Sequence, residues 1–129
     1  MKFDCKEISI SDEELGCQVS FSENEDLGSE TENMTVNEIM ESTGRYLLIQ
    51  RSYPEDDFES DYYYYETHDE NLCGVLDDFE ISLQRNCFEL KLPIEKIYIS
   101  LKPTEKEYAE LKRVLPILTL EKGKLIINE

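Results

Sequence analysis

Basic side chains are scarce in this chain: thirteen Lys and Arg stand against thirty Asp and Glu among 129 residues, a formal charge of -17. A surface of that sign repels nucleic acid and anionic membranes, which excludes binding through a basic groove, and it speeds encounter with basic proteins. Long apolar runs are missing as well. No segment approaches the roughly twenty apolar residues of a membrane helix. The opening Met1-Lys2-Phe3-Asp4-Cys5-Lys6-Glu7 is charged and alternating, where a secretory signal would be apolar. The expectation is a soluble protein of the cytoplasm.

Histidine occurs once, at His68, and Cys5, Cys17, Cys73 and Cys87 include no Cys-x-x-Cys pair. A zinc knuckle or a thioredoxin-like site therefore lacks its local signature. Each cysteine lies in or beside an expected strand, where a reduced thiol behaves as a small buried hydrophobe. No internal repeat is visible.

What remains is enough for one core. Hydrophobic residues make up 40% and aromatic residues 10% of the chain, more than a disordered acidic tail carries, and the length suits a single domain over residues 1–129. The acidity is uneven. Residues 1–44 hold twelve acids and two bases, residues 45–93 twelve and four, and residues 94–129 six and seven. One acidic side on a folded domain follows.

The hydrophobic pattern predicts an α+β fold, mainly β: an antiparallel sheet of about seven or eight strands with one late helix packed on it. Leu15, Cys17, Val19 and Phe21 alternate with polar residues as one face of a strand, and Ile8 and Ile10 share a phase. With Ser11-Asp12-Glu13-Glu14 as a turn, these form a hairpin. The acidic, polar stretch 23–43 reads as a long mobile loop, with at most a helical turn over 36–41. Arg45 to Arg51 is an apolar run of the kind buried on both faces, and Tyr62 to Thr67 favours a strand. Phe79, Ile81 and Leu83 alternate, as do Phe88, Leu90 and Leu92, across Gln84-Arg85-Asn86, a hairpin whose turn suits a left-handed Asn86. Ile97, Ile99 and Leu101 mark another strand. Thr104 and Glu107 have capping-box spacing at the start of a helix over 104–115, which Pro116 would end and whose last turn would carry Lys112 and Arg113. Residues 117–127 suggest a small hairpin turning near Gly123.

Sites of chemistry are faint. Asp69-x-Asn71-x-Cys73-Gly74 with Glu80 approaches a calcium loop, but Cys73 occupies an oxygen-ligand position and the flanks read as strands, so a turn is expected and no metal or cofactor is assigned. His68 with Cys73 could be imagined as a nucleophile and its base, but no orienting third group or glycine-rich oxyanion turn accompanies them. The pairs Asp56 with Asp57 and Asp77 with Asp78 are adjacent carboxylates in acidic loops, not two separately tuned groups. No catalytic residue is assigned and the chain is not expected to be an enzyme.

Tyr62 to Tyr65 are the most suggestive residues. Alternation divides them into two pairs, one for the core and one for a surface, and tyrosine among carboxylates suits a protein-docking patch. The alternation does not say which pair faces out. The candidate partner-binding set takes Tyr63 and Tyr65 together with Glu55, Asp56, Asp57, Glu59, Asp61, Asp77 and Asp78. An acidic mimic of nucleic acid, inhibiting a DNA- or RNA-binding protein, is the alternative use of such a surface.

The order of segments carries a resemblance. Tyr46-Leu47-Leu48-Ile49-Gln50-Arg51, an acidic loop, Asp61-x-Tyr63-Tyr64-Tyr65-Glu66, Cys73-Gly74-Val75-Leu76 and Phe79-x-Ile81-x-Leu83 come first. Ile97-Tyr98-Ile99-Ser100-Leu101 and the helix Glu107 to Leu115 follow. Over residues 45–118 this resembles immunity protein family ten of bacterial polymorphic toxin systems. The resemblance implies a non-enzymatic bacterial protein that binds and neutralises a cognate toxin domain, one that the acidity predicts to be basic. It carries over no catalytic residues, and the oligomeric state stays open.

Overall fold

The computed structural model describes residues 1–14, 16–23, 44–53, 62–120 and 123–128. The expected loop and helical turn within 24–43, and the inward position of Leu15, lie outside them. The described residues are mainly β, with one helix, but their strands form two five-stranded sheets and not one.

The first sheet runs β1 (Lys2–Asp4), β9 (Lys96–Ser100), β8 (Cys87–Lys91), β7 (Glu80–Gln84) and β10 (Lys124–Ile127). The second is an antiparallel meander of β2 (Glu7–Glu13), β3 (Gly16–Ser22), β4 (Tyr46–Ser52), β5 (Tyr62–Thr67) and β6 (Cys73–Val75). Neither edge of the first sheet is antiparallel: β1 lies parallel to β9, and β10 parallel to β7. An all-antiparallel arrangement is thereby corrected. So is the small hairpin near Gly123, because β10 pairs with a distant strand instead of folding back on its own neighbour.

Alternation explains how the sheets stack. Cys17, Val19 and Phe21 on β3 and Leu47 and Ile49 on β4 are buried, as are Ile81, Leu83, Phe88, Leu90, Ile97 and Ile99 in the first sheet. The rings of Phe21 and Phe88 meet across the layers with centroids 4.5 Å apart. The apolar sides of both sheets thus share one core. The chain passes between layers at Cys5 and Lys6: the Cys5 amide donates to Ser100 of the first sheet and the next amide, on Lys6, to Ser22 of the second. That switch makes a corner of the sandwich.

The β7–β8 hairpin forms as predicted, with Gln84 facing Cys87. Asn86 is not left-handed, since no residue other than glycine has positive φ among those described; its carbonyl instead accepts the Leu101 amide. The β2–β3 hairpin also forms, but β2 continues through Glu13, which faces Gly16, so Ser11 to Glu13 are strand. β4 is central to its sheet yet buried on one side only, with Tyr46, Leu48 and Gln50 half-buried on the other. Of the cysteines only Cys17 is fully buried. Cys5 and Cys87 are half-buried and Cys73 is exposed, a correction to the expectation for all four, and all are free thiols. Burial pushes the Cys5 thiol up to about 11.

Helix α1 (Glu105–Leu118) starts at the expected capping box, with the Glu107 amide donating to Thr104 Oγ1 (3.1 Å) and the Thr104 amide to Glu107 Oε1 (2.8 Å). It continues through Pro116, beyond the predicted end. Pro116 is exposed, and its missing N–H forfeits one backbone bond, to the Lys112 carbonyl, with only two helical residues still to come. Tyr108, Leu111, Val114, Leu115 and Leu118 face the core, and α1 packs on β2, β3 and β4 while touching β10. No helix among the described residues is long and apolar enough to cross a membrane.

The longer helix leaves no basic residue in its last turn, so the cation at its negative end comes from elsewhere. Buried Arg51 of β4 donates from Nη1 to the Ile117 carbonyl (2.8 Å), one of the terminal carbonyls that lack a helical partner. Its guanidinium lies 5.2 Å from the Tyr53 ring and 5.5 Å from that of Tyr63. Arg51→Met keeps the stem and removes the charge. It is expected to lower the free energy of unfolding by about 1.5–3 kcal/mol, the worth of a hydrogen bond to a charged group. Urea denaturation measures this, and an unchanged midpoint and slope would remove Arg51 from the role given to it here.

Candidate functional site

The residues that distinguish this chain from an ordinary sandwich lie on the outer side of β4, β5 and β6. Register fixes which side chains appear there. Ile49 faces Tyr65, and Arg51 faces Tyr63, so Tyr63 and Tyr65 share the inward side of β4 and are 2% and 7% exposed. They are core residues, off the outer side of β5, which corrects their place in the predicted docking set. Tyr62 and Tyr64 point the other way. Their rings stack with centroids 6.3 Å apart and planes inclined by 17°, and Tyr62 is 50% exposed.

Glu66 joins this pair to a third tyrosine. Its Oε2 accepts the Tyr46 hydroxyl at 2.9 Å and its Oε1 the Tyr64 hydroxyl at 3.3 Å. The exposed His68 ring meets Tyr46 edge-on, with centroids 6.5 Å apart. β6 completes the surface, with Cys73 opposite Glu66 and Val75 opposite Tyr64. Toward β3 the same side is small and polar, with Gln18, Ser20 and Ser22 opposite Gln50, Leu48 and Tyr46. The result is a tyrosine platform around a carboxylate.

At one end of the platform the β5–β6 turn encloses a depression of about 700 Å³ lined in part by Tyr46, Glu66, His68, Asp69, Glu70 and Cys73. The calcium-like motif is this turn. Thr67 Oγ1 accepts the Asp69 amide (3.1 Å) and donates to the Leu72 carbonyl (2.8 Å), while Asp69 Oδ1 accepts the Asn71 amide (2.9 Å). The Asp69 carboxylate thus shapes the backbone, as an Asx turn does. Among the described residues no three His, Cys, Asp or Glu side chains are grouped to hold a metal ion. His68 and Cys73 share the depression, but the Cys73 thiol donates to the Glu70 carbonyl at 3.3 Å, a contact that gives it no base.

Of the acidic docking residues, Asp77 and Asp78 are exposed just after β6. Glu55, Asp56, Asp57, Glu59 and Asp61 lie outside the described residues, in the segment joining β4 to β5. Sequence reading missed Tyr46, Tyr62, Tyr64 and Glu66 as a unit. The signal was available: Glu66 shares the phase of Tyr62 and Tyr64, whereas Thr67 shares that of Tyr63 and Tyr65, and a glutamate marks the watered side of a strand.

Where β3 ends and β4 begins, Arg45 grips Glu23. The Arg45 amide and Nε both reach Glu23 Oε2, at 2.9 and 3.2 Å, and Nη1 donates to the Lys2 carbonyl at 2.9 Å. The side-chain bonds from Arg45, then its amide, hold the Glu23 carboxyl down to about 2. The pair stays ionised through the whole working range of pH.

Comparison with protein-family models, curated proteins and solved structures finds no match to this chain.

Partial burial, reinforced by the hydrogen bond to Glu66, pushes the Tyr46 phenol up to about 12 from an ordinary 10.0. Tyr64 rises as well, first through burial and then through the negative charge of Glu66. A raised phenol favours the folded state while it is neutral. The stabilisation is complete below the unfolded value near 10 and is lost as pH climbs through about 12. Glu66→Gln keeps an acceptor but removes the negative charge, so the Tyr46 titration is expected to move down while retaining the part due to burial. Ultraviolet difference titration reads the shift; identical curves for the two proteins would show that Glu66 does not hold these phenols.

Proposed function

We propose that the chain is an immunity-type protein of the bacterial cytoplasm that neutralises a cognate toxin domain by binding it, with no catalytic step of its own. The observation that carries this reading is the outward pair Tyr62 and Tyr64, stacked on each other and tied through Glu66 to Tyr46. Tyrosines supply large contact area at little entropic cost and are enriched where binding energy concentrates. The carboxylates near them, with a total charge of -17, suit a basic partner. The family resemblance of residues 45–118 supports a toxin as that partner.

Geometry and charge divide the work. The acidic field raises the rate of encounter, and a cation arriving at the platform meets the Glu66 carboxylate and the faces of the tyrosines together. Added salt is therefore expected to slow association more than it speeds dissociation.

The test is to mix the protein with the toxin domain encoded beside its gene and follow both binding and protection of growth. The double substitution Tyr62→Ala, Tyr64→Ala is expected to weaken the complex by about 2 kcal/mol or more, roughly 30-fold in Kd, without unfolding the protein. Absence of a complex at low salt, together with absence of protection, would end this reading. Competition with DNA for many unrelated basic proteins would replace it with nucleic-acid mimicry.

A further inference from the structure

Where β6 approaches the turn between β8 and β9 there is a groove of about 360 Å³ that the tyrosine platform does not include. Its apolar lining is Tyr65, Val75 and Leu76 from one side and Leu92, Pro93 and Ile94 from the other. Val75 is 58% and Ile94 81% exposed. Single exposed apolar side chains are ordinary, and here two of them flank one groove. Asp77 and Asp78 complete the lining, and no basic residue belongs to it among the described residues.

A neighbouring cleft of about 260 Å³ gives a contrast. It shares Asp78, Leu92 and Pro93 with the groove, but it also brings Lys91 and Lys124 to Glu80 and Asp78, so acid and base are balanced within it. The groove beside β6 has apolar walls and, as its charged lining among the described residues, Asp77 and the shared Asp78. The complementary shape is a flexible aliphatic stem ending in a cation.

We infer that this groove receives an arginine side chain of a basic protein partner, the stem lying on Val75, Leu92, Pro93 and Ile94 and the guanidinium meeting Asp78 and Asp77. Arginine fits better than lysine on two counts. Its head is planar, with paired donors that match a carboxylate, and it is less strongly hydrated, so it gives up water more readily over an apolar floor. Its methylenes cover apolar surface while the charge stays at the edge. Val75 faces Tyr64 across the strands, so the groove continues the tyrosine platform around the edge of the second sheet. The inference rests on the proposed function only for the partner's being a basic protein.

The probe is n-butylguanidinium, titrated into the isotope-labelled full chain and followed by the amide shifts of Val75, Asp78 and Ile94. Methylguanidinium, which lacks the stem, and 1-butanol, which lacks the charge, are the controls. Saturable shifts centred on these residues are expected, with butylguanidinium binding about tenfold more tightly than either control, as removal of three partly covered methylenes or of the ion pair implies. Asp78→Asn and Ile94→Ser are each expected to weaken it at least about threefold. Equal binding by methylguanidinium would reduce the groove to surface charge, equal binding by 1-butanol would reduce it to apolar contact, and shifts centred elsewhere would remove it; each result overturns the inference. No toxin is needed for this titration, so its outcome is separate from the fate of the immunity reading.

Discussion

Arg51 is a buried cation in a protein dominated by anions, and sheet and helix are joined through it. From the inward side of the central strand β4 it reaches the last turn of α1 and supplies the positive charge that the helix itself lacks there. Taking a guanidinium out of water is costly. The cost is offset because its donors meet a helix-end carbonyl that has no helical partner and its face lies near two tyrosine rings. A second tie acts on the same side, toward the edge of the sheet, where Arg113 reaches Asp12 of β2 at 3.0 Å. That pair is partly exposed and contributes less.

The inward placement of Arg51 also decides the function proposed for the opposite surface. Arg51 and Tyr63 are register partners, so the same side of β5 that serves the core must carry Tyr63 and Tyr65. A slip by one residue would exchange the two tyrosine pairs and bury Glu66. Core and platform are therefore one choice, made by strand register. The small polar residues of β3 leave the platform open on one flank, while β6, only three residues long, leaves it open on the other, where Val75 leads into the groove.

Much of this was legible in the sequence and some of it could not be. Alternation located β3, β7, β8 and β9, and the spacing of Thr104 and Glu107 located the start of α1, because both signals are local. Alternation gives a strand two faces but says nothing of which sheet it joins, so two stacked layers read as one. The parallel edges were hidden for a related reason: β1 and β10 find partners far along the chain, and no local pattern records them. Pro116 misled because its usual effect on a helix interior is weak two residues from a helix end. In the candidate site, the four consecutive tyrosines were visible and their division into pairs was correct. The sense of the division was encoded in Glu66, and Tyr46 joined them only through the β4–β5 pairing.

The parallel edge strands have a kinetic meaning. The second sheet is built from strands that follow one another along the chain, and its pairings close over comparatively short loops. In the first sheet, Phe3 must wait for Ile99, and during synthesis β1 emerges long before its partner exists. The meander can thus assemble while translation continues, whereas the sheet that covers it cannot close until β9 is made. Pairings of such long sequence separation are slow to form. Over that interval the inward face of the meander lacks a complete opposing layer, and the net negative charge of the early chain disfavours adhesion between growing chains.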